Sequence, residues 1–257
     1  IVEGTSTDGK KFHKLNLLKP FEFDNSIIRE GNFVFFTPAI SSPDECKNDS
    51  KDSLAWRTNI IGTKIFIEDC LKKKAKVIFF SSDTVYGETT EMVNENSKEN
   101  PFGNYSKMKR IIEKEFEFYK DFKSIRLSYV FSKNNKFSKY LFNCAKKKIN
   151  AEVFPSMKRA VIYINDVIDG LKELIKGWDK FKEYKVINFG GPEILSREDL
   201  AKLLGEKAIP SLNYKVIPPP EDFFIHRPKE ILMESPILNL ILHRKLTYIK
   251  DAIIKEF

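Results

Sequence analysis

The chain has 257 residues, 44 Lys and Arg against 36 Asp and Glu, and 42% hydrophobic residues. That composition describes a globular chain with material for one large domain or one and a half, without a low-complexity tract or an internal repeat. No apolar run reaches eighteen residues, and the opening IVEGTSTDGKKF lacks the basic-then-apolar layout of a signal peptide, so neither a membrane partner nor export is expected.

Elements alternate along the chain. The aromatic run from Asn32 to Thr37 reads as a buried strand. Ser53 to Lys73 carries Leu54, Ile60, Ile61, Ile65, Ile67 and Leu71 at near-helical spacing and closes on lysines that suit a helix C-terminus. KVIFFS, from Lys76 to Ser81, is a second buried strand. Tyr105 to Tyr119 is a helix with Met108, Ile111, Ile112 and Phe116 on one side. Lys123 to Phe131 is a strand ending in the polar break SKNN, and a helix follows from Phe137 to Lys148. Then come the strand AVIYI, a helix after Asn165, the strand KVINFG, and a helix that Ser196 caps. Prolines at 210, 218–220, 228 and 236 break the remainder.

Strands alternating with helices predict an α/β fold with a mostly parallel, doubly wound sheet. The expected division is 1–150 for the sheet domain and 151–257 for a smaller lobe with segments returning to the first.

Cys46, Cys70 and Cys144 are odd in number, far apart and not in Cys-x-x-Cys form, which predicts a reducing, cytoplasmic setting. His13, His226 and His243 are scattered, so no metal site is expected. The net charge of +8 comes from lysines that sit beside acids, as in KEFEFYKDFK. This is the pattern of solvated helix faces and argues against nucleic acid, while a nucleoside diphosphate stays compatible with it.

Three Tyr-x-x-x-Lys pairs occur: Tyr105/Lys109, Tyr119/Lys123 and Tyr129/Lys133. About one is expected by chance, so context decides. Ligands of doubly wound sheets sit outside the carboxyl ends of the strands. Ser81, Ser82 and Asp83 fall at such an end, and Tyr105 opens the next helix with Lys109 one turn on, along the same face. The other two pairs straddle element breaks. A phenol titrates near pH 10, and a neighbouring ammonium favours its ionised form, so Tyr105 and Lys109 suit proton transfer. Ser82 suits orientation of the reacting oxygen.

SSDTVYGE and NPFGNYSKMKRIIE resemble the catalytic segments of the extended short-chain dehydrogenase/reductases, the NAD-dependent epimerase/dehydratase superfamily. The resemblance is to the dTDP-4-dehydrorhamnose reductase-like branch. Pro101, Tyr105, Lys109 and Glu113 match its Pro-x-x-x-Tyr-x-x-x-Lys-x-x-x-Glu pattern. VFFTPAISS resembles its cofactor-lining fourth strand, TNIIGT its Asn-x-x-Gly-Thr helix, and IRLSYVF the strand facing nicotinamide and sugar. KRAVIYINDVIDG, VINFGGPEILSREDLA and HRPKEILMES are similar to its later segments.

The resemblance implies a Rossmann-like fold with a C-terminal substrate-binding lobe. It implies catalysis by Ser82, Tyr105 and Lys109, and cofactor contacts from Thr37, Pro38, Ala39, Asn59, Tyr105, Lys109 and Ser128. Substrate contacts would come from Ser82, Asp83, Thr84, Tyr129, Arg159 and Arg227, the two arginines gripping a diphosphate. The implied reaction is NAD(P)-dependent reduction of a 4-keto nucleotide sugar, with an epimerase as alternative and a non-catalytic regulatory member as the second. A dehydratase fits less well, because its Asp-Glu pair is replaced by Asp83 and Thr84. A homodimer is compatible.

The family opens on a strand, a Gly-x-x-Gly-x-x-Gly turn and a helix that holds pyrophosphate. Gly4 and Gly9 do not form that turn, and IVEGTSTDGKKFHKLNLLKP resembles the family from its second strand onward. One β-α unit, about thirty residues, accounts for the difference. Either the natural chain extends upstream or this is a degenerate member that binds dinucleotide poorly, and the intact catalytic trio favours the first. Glu3 would suit the ribose of NAD, whereas Ser6, Thr7, Lys10 and Lys11 suit the 2′-phosphate of NADP, which is the expected cofactor.

Overall fold

In the computed structural model, residues 3–257 are described except Lys11, Asp49 and the side chain of Pro43. Lys11, one of the expected 2′-phosphate residues, therefore lies outside the described residues. The chain forms two compact units: 1–81 with 103–125, and 82–102 with 126–257.

The first unit begins with the short parallel strands β1 (Thr5–Ser6) and β2 (His13–Lys14), then β3 (Phe33–Phe36) and the turn-length helix α1 (Pro43–Cys46). A helical run follows in three parts: α2 (Leu54–Trp56), a π-helical stretch at Arg57–Gly62, and α3 (Thr63–Lys72). β4 (Lys76–Ser82), α4 (Gly103–Phe116) and β5 (Phe122–Leu127) complete it. β4 lies between β3 and β5, and β3 pairs with it in parallel, Phe36 opposite Phe79.

One buried phenylalanine per strand forms a row across this sheet. Phe36 and Phe79 stack at 6.0 Å and Phe79 and Phe122 at 6.1 Å, with Phe66 of α3 5.7 Å from Phe36. Each such ring contributes roughly 1.5–3 kcal/mol by leaving water. This row makes the core floor beneath α4.

The π-helical stretch ends in close contact with the segment before β3. A Cβ on Gly62 would meet the Leu17 carbonyl oxygen at 1.8 Å, so only glycine lets the helix approach that backbone. Gly62→Ala is therefore expected to destabilise the protein by about 3 kcal/mol, the upper end for overpacking. A urea midpoint equal to the parent's would contradict this close approach.

The second unit holds β6 (Val130–Phe131), α5 (Lys136–Lys146), β7 (Ala151–Val153), β8 (Arg159–Tyr163), α6 (Ile164–Lys176) and β9 (Val186–Phe189). It continues with β10 (Glu193–Leu195), α7 (Arg197–Lys207), β11 (Tyr214–Val216), α8 (Pro236–Leu242) and α9 (Ile249–Glu256). β8 is buried along its whole length, flanked by β6 in parallel and β10 antiparallel, while β7 pairs with β11. Leu141, Val161, Leu200, Leu204, Ile249 and Ile253 form its core. Ser196 caps α7 through a reciprocal box with Asp199, as its sequence position predicts.

The units do not divide at residue 150. The chain changes unit at the ends of β4 and β5, and the second unit, expected to be the smaller lobe, is the larger. The cause is packing, because α5 and β7 share the core of β8 and α9. The strand expected over Lys123–Phe131 is also two strands, β5 and β6, separated at Ser128 and Tyr129. There the Ser128 N–H donates to Phe189 O at 3.0 Å and Tyr129 O accepts from Ile162 N–H at 2.9 Å, so adjacent residues join different strands.

Candidate active site

In the first unit the site grows from α4. Tyr105 and Lys109 lie one turn apart on it, and Tyr105 packs half-buried on the phenylalanine core. The Lys109 side chain is only 4% exposed. Its Nζ donates to Phe80 O at 2.6 Å, and lies 4.5 Å from the Phe79 ring centroid and 5.7 Å from that of Tyr105. Burial pulls the ammonium down to about 8, against the opposing pull of Glu113 one turn further on. A charged lysine is thus held beside the phenol by packing, a carbonyl and two π faces.

Asn104, adjacent to Tyr105, ties the first turn of α4 to α1 by donating to Cys46 O at 2.9 Å and Lys47 O at 3.1 Å. Asn59 lies in the π-helical stretch and clamps the backbone of Ile40: its Oδ1 accepts from Ile40 N–H at 2.9 Å, and its Nδ2 donates to Ile40 O at 2.8 Å. This shapes the loop after β3, where Thr37 and Pro38 are exposed and Ala39 half-buried. At the end of β4, the buried Ser81 Oγ has no hydrogen-bond partner among the described residues.

Ser82 is the last residue of β4, two beyond Phe80, and opens the second unit. Its Oγ accepts from Thr84 N–H at 3.2 Å and from Thr84 Oγ1 at 3.0 Å, and donates to Asp83 Oδ1 at 3.2 Å. Asp83 Oδ2 accepts from Ser128 Oγ at 2.8 Å and lies 3.7 Å from Arg159 Nε. Burial pushes the Asp83 carboxyl up, with Arg159 opposing.

Arg159 is 8% exposed and spends its fork on the carbonyls of Lys158, Lys229 and Pro228. Arg227 differs. It is half-buried, stacks 4.4 Å from the Phe223 ring centroid and donates to Phe223 O at 3.0 Å.

The first unit therefore brings together Tyr105, Lys109, Asn59 and the 37–39 loop, and the second gathers Ser82, Asp83, Thr84, Ser128 and Arg159. The Asn59 amide faces Ile40, the Ser128 hydroxyl faces Asp83, and the Arg159 guanidinium is turned inward. Tyr129 is engaged too. Its hydroxyl accepts from Arg197 Nη1 at 2.6 Å, under a guanidinium 4.2 Å from its ring centroid and 4.5 Å from that of Phe137.

Sequence reasoning missed Arg197. A cation in the first turn of α7, where the helix dipole disfavours it, is the signal that it serves another element. Asn104 offered no such signal, because its partners lie far away in sequence. A separate cleft of about 590 Å³ in the second unit is lined by Met92, Gly191, Met233, Asn239, His243 and Tyr248, and by none of the expected substrate residues. Among the described residues no group of three or more His, Cys, Asp or Glu could hold a metal ion, and no helix is long and apolar enough to cross a membrane.

A profile described as the NAD dependent epimerase/dehydratase family matches residues 3–190. No curated protein matches the chain. Among solved structures, the chain resembles the UDP-N-acetylglucosamine 4-epimerase of Methanobrevibacter ruminantium, at 19% identity and TM-score 0.75, covering 94% of this chain and 80% of that one. It resembles the dTDP-4-dehydrorhamnose reductase of Bacillus anthracis, solved with NADP, at 20% identity and TM-score 0.73, covering 88% and 80%. The UDP-glucuronic acid 4-epimerase of Bacillus cereus, solved with NAD, is 20% identical with TM-score 0.72, covering 92% and 77%. The fold is α/β and Rossmann-like.

Proposed function

This chain belongs to the NAD dependent epimerase/dehydratase family, and from that premise we propose that it is an NAD(P)-dependent oxidoreductase of nucleotide-activated sugars, reducing a 4-keto sugar. The observation that carries this reading is the buried Lys109 ammonium held beside Tyr105 on the helix that follows the Ser82 strand.

Tyr105 donates the proton to the substrate oxygen as the keto carbon is reduced. Lys109 supplies the positive charge that eases proton loss from the phenol, and Ser82 hydrogen-bonds the same oxygen. The nicotinamide supplies hydride when bound. The residues fit such a group: Thr37, Pro38 and Ala39 form a strand-end loop braced by Asn59, Lys109 offers an N–H donor, and the Ser81 hydroxyl has its bonding capacity to spare. Ser6, Thr7 and Lys10 support NADP over NAD.

Reduction consumes NADPH in proportion to product. Incubating the full-length protein with UDP- and dTDP-linked 4-keto sugars and NADPH, and following both, tests the proposal. Isomerised sugar without net NADPH loss would mark a 4-epimerase instead, the activity named for two of the structural neighbours. No turnover of any nucleotide sugar in either assay would overturn the oxidoreductase reading.

Arg227 is the diphosphate residue in this proposal. Among the described residues its fork keeps unspent donors, and it rests on an aromatic platform, where Phe223 contacts Phe154 at 5.2 Å. Arg227→Ala should weaken UDP or dTDP binding by about 1.5–3 kcal/mol, typical of charged hydrogen bonds. Calorimetric titration with the nucleoside diphosphate alone reads this, and unchanged affinity would return Arg227 to a surface role.

A further inference from the structure

The turn after β4 is organised around one buried carboxylate. Asp83 is 4% exposed, and Ser82, Ser128 and Arg159 all converge on its two oxygens. A serine hydroxyl has one proton and two lone pairs. Thr84 occupies both lone pairs of Ser82, and Asp83 takes the proton, so the hydroxyl is fixed in every direction it can bond. A substrate oxygen must draw that proton from Asp83.

Arg159 closes the arrangement from behind. A guanidinium has five N–H groups in a rigid fork. Nη1 serves Lys158 O at 2.7 Å and Lys229 O at 3.1 Å, Nη2 serves Pro228 O at 2.7 Å, and Nε faces Asp83. A bidentate phosphate contact needs two parallel free donors, and Arg159 has one N–H left.

We propose that Asp83, held by Arg159, is the positioning residue for the Ser82 hydroxyl, and that Arg159 belongs to this brace and not to the diphosphate contact. The inference rests on Ser82 acting on the substrate oxygen, as proposed above. Through Arg159 the brace also reaches Pro228 and Lys229, beside Arg227.

Asp83→Asn keeps the size of the side chain, but with its carbonyl oxygen taken by Ser128 and Arg159 it turns an amide N–H₂ towards Ser82 Oγ, which loses its acceptor. Arg159→Lys keeps the charge without the fork. Hydrogen exchange at the Thr84 amide, measured on the full chain without ligand, should quicken at least about tenfold in both variants. UDP and dTDP affinities should stay within about twofold of the parent, while kcat falls at least about tenfold at nearly constant KM.

The decisive comparison is additive. In a Ser82→Ala background, Asp83→Asn should cost less than about twofold more in kcat, because a residue acting only through Ser82 has nothing left to position. Unchanged Thr84 exchange in both variants overturns the inference. So does an Arg159→Lys variant that loses UDP affinity more than about tenfold with normal kcat at saturation, since the guanidinium would then be a phosphate ligand. If the parent binds neither nucleotide, the functional reading fails by itself, and Thr84 exchange still decides the brace. Should Arg159→Lys not fold, the isosteric Asp83→Asn carries the same two readouts.

Discussion

Tyr105→Phe in the full-length protein lowers turnover by at least about a hundredfold, the low end for loss of a general acid. The phenyl ring keeps its place on the phenylalanine core, so KM and stability change little. Tyr119→Phe is the matched control. Tyr119 is 50% exposed, and α4 ends at Phe116 while β5 begins at Phe122, so Tyr119 and Lys123 share no helix face. Near-normal turnover in Tyr105→Phe would end the assignment of the catalytic tyrosine, and an equal loss in Tyr119→Phe would show that the effect is not specific to this pair.

Lys109→Met makes the protein more stable and inactive at neutral pH. The lysine's proton affinity falls from 10.5 to about 8 on folding because burial penalises the ammonium. Below pH 8 both states are protonated, and the folded state carries the full penalty. Between pH 8 and 10.5 the unfolded chain binds the proton that the folded chain has lost, so stability rises with pH across that window. The penalty is roughly 3 kcal/mol.

Methionine removes this penalty at pH 7 but leaves Phe80 O without its donor, a loss of about 1 kcal/mol. The net gain of roughly 2 kcal/mol at pH 7 should shrink as pH climbs from 8 to 10.5, pass through zero and end as a deficit of about 1 kcal/mol, because the lost hydrogen bond remains when the charge penalty is gone. Urea unfolding of both proteins at pH 7 and above pH 10 checks this. A difference that does not vary with pH would mean that Lys109 titrates near its ordinary value. A gain in stability joined to loss of turnover is the signature of a site that holds an unfavourable charge for its chemistry.

The order of strands and helices was legible in the residues alone, because apolar runs and 3.6-residue spacing are local properties of the chain. The Tyr105–Lys109 face and the Ser196 cap were legible for the same reason, since each needs only neighbours within one turn. What the sequence concealed depends on partners distant along the chain. Nothing near Arg159 in sequence shows that Asp83, Pro228 and Lys229 take its donors, and nothing near Asn59 shows that Ile40 takes both ends of its amide.

The break between β5 and β6 was hidden likewise, because KSIRLSYVF has unbroken strand composition and only pairing to Phe189 and Ile162 splits it. Local spacing thus determined the elements and the residue types of the site. Tertiary structure alone decided which polar groups remain free to meet a ligand, because buried donors and acceptors must be satisfied by whichever segments fold against them.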